Sequence, residues 1–300
     1  MKTERYDHDR WFKELITTFF EEFILAFFPD VYEHLDFHHI TFLQQEVFTD
    51  ILKGRKGTVD ILAETKLKGQ DALIIVHIEP QSYYDSHFND RMFFYFSRLY
   101  ETYRRPIVPI AIFSYDQPRR EVDHFIIHFP FKKVLSFNYL TVHLKNKNWR
   151  EYINQPNPVA LALLGKMGYD QSEKVMIKLQ FLRMLLKLEL DPARQQLVAG
   201  IFENYFKLST DEENELRGQL ISIPKNEVSH IMELMTSWER KGLEKGIEQG
   251  IEKGKIEGKI EGKAEVKSDI ARRMLKKGFS LKEISEITGL SESELNKLKV

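Results

Sequence analysis

The chain has 300 residues, of which 42% are hydrophobic, a formal net charge of −1 and no cysteine. That length predicts two or three units, and the apolar share is enough for a sizeable core. A net charge near zero gives no global electrostatic argument for a nucleic-acid or membrane partner, so any basic surface must be local. The absence of cysteine excludes disulfides and thiolate-zinc sites and fits a reducing cytoplasm.

The first predicted element is a helix over residues 11–28. Apolar side chains recur there at the spacing of one helix face, and we expect Asp9 to cap the helix and Pro29 to end it. Charged residues such as Lys13 and Glu21 interrupt the aromatic run, which therefore fits neither the apolar centre of a signal peptide nor a membrane span. We predict a core helix with a solvated back, from which a glutamate could still reach a nearby site.

A β-hairpin is predicted over residues 58–81. Two apolar runs flank Gly69 and Gln70, and glycine at the first central position of a two-residue loop favours a type II′ turn. If those two residues form the loop, the register places Asp60 directly opposite Glu79. A slip of one residue would send one of these carboxylates to the other face of the sheet.

Four polar side chains share one face of this hairpin. Side chains alternate between faces, so His77, Glu79 and Gln81 point the same way, and Asp60 joins them from the neighbouring strand. Opposed residues have Cβ atoms about 4.5–5.5 Å apart, and two carboxylates that close repel each other unless a cation lies between them. An oxygen-only pair suits a hard ion such as Mg²⁺. For His77, a core histidine is the simpler interpretation, and a supporting role behind the carboxylates is the alternative.

The competing interpretation is that the hairpin simply ends in acidic residues that point into water. Residues 72–78 are almost wholly apolar, which predicts a strand buried on both faces. Glu79 then lies at the exit of a buried strand, where a purely solvated charge is less expected.

Further strands are expected around the hairpin, over residues 107–113, 125–129 and 134–144, and residues 41–52 are expected to form a strand or a strand after a short helix. Residues 55–57 are expected to form a turn, and Pro109 indicates that its strand lies near an edge or carries a bulge. A helix over residues 86–104 carries Arg91 and Arg98. The order of helix, three strands, helix and strand predicts an α/β sandwich with a mixed sheet.

The pattern becomes helical after a predicted linker at residues 155–158. Between residues 239 and 267 glycine recurs at every fourth position among glutamates and lysines. Four-residue spacing drifts around a straight helix, so no fixed heptad seam results. Like charges also stack at i,i+4, which destabilises an isolated helix. We expect a long, marginal, exposed helix that gains order from a neighbour.

Three short helices are predicted over residues 268–300. Ser280 and Glu283 form a capping box for the second of them, and Ser291 begins the third. The spacing is similar to that of a helix-turn-helix. The third helix carries two glutamates where a recognition helix would meet phosphates, so packing or oligomerisation is favoured over DNA reading.

The motifs together resemble the Rpn/transposase-like branch of the PD-(D/E)XK nucleases. These motifs are D-I-L from Asp60, I-V-H-I-E-x-Q-S over residues 75–82 and F-x-x-R-M-F-x-Y-F-x-R-L-Y over residues 88–100. The resemblance covers roughly residues 10–145. It implies a restriction-endonuclease-like core of order αβββαβ with a mixed sheet, followed by an all-α C-terminal region. The chain then divides into a nuclease-like domain, a helical region, a glycine-rich helical linker and a helix-turn-helix-like tail, over residues 1–154, 155–238, 239–267 and 268–300.

The resemblance also implies roles for particular residues. Asp60 and Glu79 would bind Mg²⁺, with Mn²⁺ as a possible substitute, and the carbonyl of Pro80 would join them. Gln81 would take the position of the family's lysine, and Glu46 would be a supporting carboxylate. Glutamine offers only an amide dipole where lysine offers a positive charge.

The implied activity is Mg²⁺-dependent cleavage of DNA, of a kind associated with mobile elements or recombination. The glutamine leaves open a catalytically weak or inactive nuclease fold that acts as a nucleic-acid-binding or assembly protein. Arg91 and Arg98 would contact the DNA backbone, or else pair internally with Glu46, Asp90 or Glu101. Because one such site cuts one strand, we expect a homodimer held partly through the glycine-rich segment.

Overall fold

The structure is a computed structural model that describes residues 2–43, 47–50, 55–58, 61–70, 73–116, 122–220, 224, 228–235, 259, 262 and 266–297. Its internal contacts divide the chain into two compact units, Met1–Ile231 and Met232–Val300. The four-part division of the chain remains a prediction.

In the described residues of the first unit, nine strands form three sheets. They are β1 (Leu35–Phe42), β2 (Val47–Asp50), β3 (Arg55–Thr58), β4 (Ile61–Leu67), β5 (Leu73–Gln81), β6 (Ile107–Phe113), β7 (His124–Phe129), β8 (Lys132–Asn138) and β9 (Leu140–His143). The main sheet has the order β1-β4-β5-β6-β9, and β2-β3 and β7-β8 form separate pairs. The first three strands of the main sheet are antiparallel and the last three are parallel, so the mixed α/β sheet is confirmed.

The helices of the first unit stand before, between and after these strands. They are α1 (Lys2–Thr18), α2 (Phe20–Phe27), α3 (Pro29–Tyr32), α4 (Phe88–Tyr103), α5 (Trp149–Tyr152), α6 (Pro158–Leu163), α7 (Lys174–Lys187), α8 (Pro192–Tyr205) and α9 (Thr210–Leu220). A further helix covers residues 228–235. In the described part of the chain no helix is both long and apolar enough to cross a membrane.

The predicted N-terminal helix is interrupted. Its apolar face is buried as expected, but Phe19 has a φ of −129° and separates α1 from α2. Just before the break, the Thr17 hydroxyl donates to the carbonyl of Lys13 at 2.8 Å, a contact that tends to bend helices. The expected cap at Asp9 is wrong, because Asp9 lies inside α1.

The predicted register of the hairpin is confirmed. Pairing runs from Ile61 opposite Ile78 to Lys66 opposite Leu73, the alignment expected from the sequence. The turn differs, because the N–H of Gln70 donates to the carbonyl of Leu67 at 3.1 Å. Gly69, with a φ of +75°, therefore occupies the second central position of that turn rather than the first. Glycine is suited to either position, since each needs a positive φ.

One local expectation is wrong, and another holds only at the proline itself. Residues 55–58 form β3 opposite β2 instead of a turn. β6 lies inside the sheet between β5 and β9. Pro109 is tolerated there because β6 pairs with β9 only from Ile110 onward, so one side of the strand is still an edge at the proline.

The expected linker at residues 155–158 is a packed connection. Asn157 is buried, and its side-chain oxygen accepts from the N–H groups of Val159 and Ala160 at 3.0 Å and caps α6. Its amide also donates to the carbonyl of Glu22 at 2.8 Å. The helical region is therefore tied directly to the N-terminal helices.

The second unit contains the three short helices that the sequence predicts. The first covers residues 266–276, and the others are Leu281–Thr288 and Glu292–Lys297. Ala271, Ile284 and Leu295 form its buried core, one residue from each helix. The glycine-rich segment lies almost wholly outside the described residues.

Candidate active site

Three polar side chains are buried at the carboxyl end of β5. His77, Glu79 and Gln81 are 0%, 4% and 3% exposed, while residues 74–78 confirm the predicted burial on both faces. They share the face that packs on α4, because His77 contacts the ring of Tyr95 and the other two contact Arg91. The shared face predicted from the alternation of side chains is therefore confirmed for these three residues.

Parallel pairing with β6 fixes this end of the strand. Glu79 aligns with Ala111 and Gln81 with Phe113. The N–H of Ser114 donates to the carbonyl of Gln81 at 3.0 Å, which continues the ladder just beyond β6. The polar side chains are thus held by a rigid backbone.

Arg91 joins the polar groups of β5 to the loop that follows. Its Nη2 donates to Gln81 Oε1 and its Nη1 to Asp85 Oδ2, both at 2.6 Å. Its Nε lies 3.7 Å from Glu79 Oε1. The amide of Gln81 donates in turn to the carbonyl of Tyr83 at 2.6 Å, so both ends of that amide are fixed.

Two opposed effects act on the pKa of Arg91. Burial lowers the pKa of its guanidinium, but the negative charges of Glu79 and Asp85, together with Tyr95 and Tyr83, outweigh burial and raise the pKa above its ordinary value. The guanidinium therefore stays charged and offsets the cost of burying the Glu79 carboxylate.

Two predicted carboxylates, Asp60 and Glu46, lie outside the described residues. The observed pairing of β4 with β5 reaches Ile61 and Ile78, one step before the predicted pair of Asp60 and Glu79. The placement of Asp60 across from Glu79 stays a prediction.

The site offers oxygen atoms, which are the type of ligand that a hard cation binds. Among the residues that the structure describes, no three histidine or carboxylate side chains group together as metal ligands. The site supplies one buried carboxylate, that of Glu79, whose oxygens are the type of ligand that Mg²⁺ prefers. Gln81 Oε1 is already engaged by Arg91. A second carboxylate is needed to complete the donor set.

The two arginines predicted to contact DNA both have internal partners. Arg91 is directed into the site, with Gln81 and Asp85 as its hydrogen-bond partners. Arg98 Nη1 lies 3.1 Å from Glu101 Oε2, the pairing considered as its alternative, and both side chains are more than half exposed. Arg98 therefore remains accessible from solvent, whereas Arg91 is mostly enclosed.

The sequence interpretation missed Asp85. Asp85 precedes α4, accepts from the N–H of His87 at 3.0 Å and binds Arg91. The only signal in the sequence was an acidic residue just before a helix, a common pattern at helix starts. Its link to Arg91 depends on how the loop folds back along the helix.

The C-terminal helices have the capping that the sequence predicts. Ser280 and Glu283 form the expected capping box, and Gly289 ends the helix with a φ of +67°. Glu294, one of the two glutamates that argued against DNA reading, accepts from the N–H of Ser291 at 2.8 Å and from its hydroxyl at 2.6 Å. These hydrogen bonds lower the pKa of Glu294. Its carboxylate therefore caps the N-terminus of its own helix.

The mixed sheet, the buried carboxylate and glutamine on β5 and the all-helical C-terminal region define an α/β protein consistent with a PD-(D/E)XK-like core. Residues 265–300 match the family model described as "Rpn/YhgA-like nuclease family, C-terminal HTH domain". The matched residues contain the last three helices, which are therefore similar to the C-terminal helix-turn-helix domain of that family. A search of curated proteins and a search of solved structures each gave no match.

Proposed function

We propose that this protein is a Mg²⁺-dependent DNA endonuclease of the recombination-promoting type, which hydrolyses phosphodiester bonds. The observation that carries the proposal is the buried Glu79 at the end of β5, in the strand register that the sequence predicts. The match of residues 265–300 to the C-terminal domain of a nuclease family supports the same class of activity.

Charge balance supports a divalent ion at this site. Glu79 and Asp60 would hold it through carboxylate oxygens. If Asp60 lies opposite Glu79 as predicted, these two residues and Asp85 would carry three negative charges against one positive charge on Arg91, and one divalent cation would balance the remaining two. When bound, the ion lowers the pKa of its water and screens charge on the phosphate.

Arg91 offers a reason why glutamine can replace lysine. A neutral amide at position 81 brings no charge to the attacking water. Arg91, whose Nη2 is 2.6 Å from Gln81 Oε1, brings a permanent positive charge to the same place and fixes the orientation of the amide. In this proposal Gln81 positions the water and Arg91 supplies the charge.

Plasmid nicking with Mg²⁺ or Mn²⁺ tests the proposal. We expect Asp60→Ala and Glu79→Ala to abolish cleavage, and Glu213→Ala, which removes an exposed carboxylate on α9, to cut like the wild type. Wild-type rates in both site variants would show that the site is misassigned.

A second candidate is a catalytically weak or inactive nuclease fold that binds nucleic acid or directs assembly. The engagement of both ends of the Gln81 amide favours it, because each end already has a hydrogen-bond partner within the protein. Calorimetric titration with Mg²⁺ and Mn²⁺ separates the two candidates. No binding at millimolar concentration would favour the second.

DNA binding by the helix-turn-helix domain and dimerisation belong to the same proposal. The glycine-rich segment over residues 240–267 has columns of like charge, and an antiparallel neighbour could set glutamates against lysines. Each exposed ion pair is worth only about 0–1 kcal/mol, so such a dimer should weaken with salt. Light scattering on the full chain and on a chain ending at Trp238 tests it. Equal monomer masses at low salt, or a dimer that survives the truncation, would reject dimerisation through this segment.

A further inference from the structure

The β7–β8 hairpin presents an aromatic tip to solvent. Phe129 is 50% exposed and Phe131 is 85% exposed, the highest value for a large hydrophobic side chain in the described part of the chain. The two rings stack, with centroids 5.5 Å apart and planes 11° from parallel. Pro130 lies between them and restricts the backbone of the turn. Exposed apolar groups clustered in this way mark interaction sites.

The base of the hairpin is fixed on the helix that carries Arg91. Phe93 of α4 packs against Phe125 and Phe137 of the two strands, with ring centroids 5.3 and 5.6 Å apart. Just after β8, the hydroxyl of Tyr139 donates to Asn89 Oδ1 at 2.6 Å. The aromatic tip is therefore the far end of a hairpin whose base is packed on α4, the helix that carries Arg91.

The charge of the hairpin indicates what its tip can bind. Residues 124–138 contain Lys132, Lys133 and two histidines but no aspartate or glutamate. The lysines directly follow the stacked rings, and Lys132 pairs with Phe129 across the strands. Aromatic faces beside basic side chains are the combination that binds single-stranded nucleic acid, where bases stack on rings and cations meet phosphates.

We propose that the β7–β8 hairpin is a nucleic-acid-binding arm that stacks Phe129 or Phe131 on unpaired bases and places Lys132 and Lys133 against the flanking phosphates. This inference rests on the proposed nucleic-acid substrate but not on cleavage. Residues 128–134 include no arginine, asparagine or glutamine that would read base edges. With both lysines assigned to phosphates, we expect the arm to bind with little sequence preference.

Charge also distinguishes this partner from a second copy of the chain. Pairing two hairpins edge to edge would bring their lysines together, and the hairpin has no carboxylate to oppose them. Lysine on exposed strands acts against such pairing. A polyanion meets the same lysines favourably.

Fluorescence anisotropy of the full chain with a labelled single-stranded 20-mer DNA, in EDTA, tests the inference. We expect the double variant Phe129→Ala/Phe131→Ala to bind roughly tenfold more weakly or worse, with a smaller loss on a fully paired duplex. The double variant Lys132→Ala/Lys133→Ala should reduce the slope of log K against log salt by about 1.4, which is two phosphate contacts on a single strand.

Matched variants complete the test. Lys187→Ala/Lys207→Ala removes two exposed lysines from elsewhere and should bind like the wild type. The inference is overturned if the wild type does not bind the single strand, or if both hairpin variants bind it unchanged. The inference is equally overturned if the hairpin variants reduce only the oligomer mass measured by light scattering, or only the binding to phosphatidylserine vesicles, and leave binding to the single strand unchanged. EDTA blocks cleavage, so this assay measures binding alone. If the hairpin variants show these losses but the wild type does not nick plasmid with Mg²⁺ or Mn²⁺, the arm is supported and the nuclease is rejected.

Discussion

Arg91 provides the positive charge and the hydrogen bonds that stabilise the buried polar groups of β5. It contacts Glu79, Gln81 and Asp85 from one position on α4, and its side chain is 25% exposed. A planar guanidinium can serve three acceptors at fixed angles, which a lysine ammonium does not reproduce. The ring of Phe88 lies 5.0 Å from the guanidinium carbon and covers one of its faces.

Replacing Arg91 by methionine should therefore lower the free energy of unfolding. The substitution keeps most of the apolar volume but leaves Glu79 buried without its cation, at a cost of about 2–4 kcal/mol. Urea unfolding measures this difference. The double variant Arg91→Met/Glu79→Gln should recover part of the loss, since the uncompensated charge is gone.

Arg98 on the same helix provides the matched control. Its pair with Glu101 is exposed, so Arg98→Met should change the free energy of unfolding by less than about 1 kcal/mol. Equal losses for Arg91→Met and Arg98→Met would contradict the structural role of the buried network.

At the scale of elements, the connections after β9 are built as tightly as the sheet. Gly168 donates its N–H to the carbonyl of Lys147 at 2.8 Å and forms an isolated bridge with Asn148. A Cβ at Gly168 would lie 2.7 Å from the backbone oxygen of Lys145. Backbone cannot move aside as a side-chain end can, so this approach requires glycine.

Two glycine substitutions should then have opposite effects. Gly168→Ala should destabilise the first unit by about 1–3 kcal/mol because of the backbone overlap. Gly218→Ala, in α9 with open space around it, should stabilise it by up to about 1 kcal/mol through helix propensity. Thermal unfolding followed by circular dichroism compares the two variants, and a neutral Gly168→Ala would show that this approach is not restrictive.

The whole molecule has two units with very different cores. In the described residues, the first unit buries many hydrophobic side chains from its strands and helices, whereas the last three helices enclose three that are fully buried, Ala271, Ile284 and Leu295. A small core contributes only about 3–5 kcal/mol.

Hydrogen exchange of the full chain should reveal this difference. Amides of residues 281–297 should exchange through frequent local opening, while those of β5 should exchange only in rare, larger openings. Mass spectrometry of peptic peptides at several denaturant concentrations separates the two. A common opening free energy for both segments would mean that the units unfold together.

The sequence alone determined the features that depend on neighbours along the chain. The register of β4 and β5, the burial of residues 74–78 and the capping box of Ser280 and Glu283 all follow from side-chain alternation, hydrophobicity or capping chemistry. These signals are local because they arise from the backbone geometry of one strand pair or one helix.

Tertiary structure alone decided the features that join distant segments. The sequence placed Arg91 on a helix, but its choice of Gln81 and Asp85 over Asp90 depends on how α4 lies against β5. β6 lies inside the sheet because β9, some thirty residues later, pairs with it, and Pro109 is tolerated because that pairing begins only at Ile110. Such contacts are set by packing between elements, whose relative positions no local periodicity specifies.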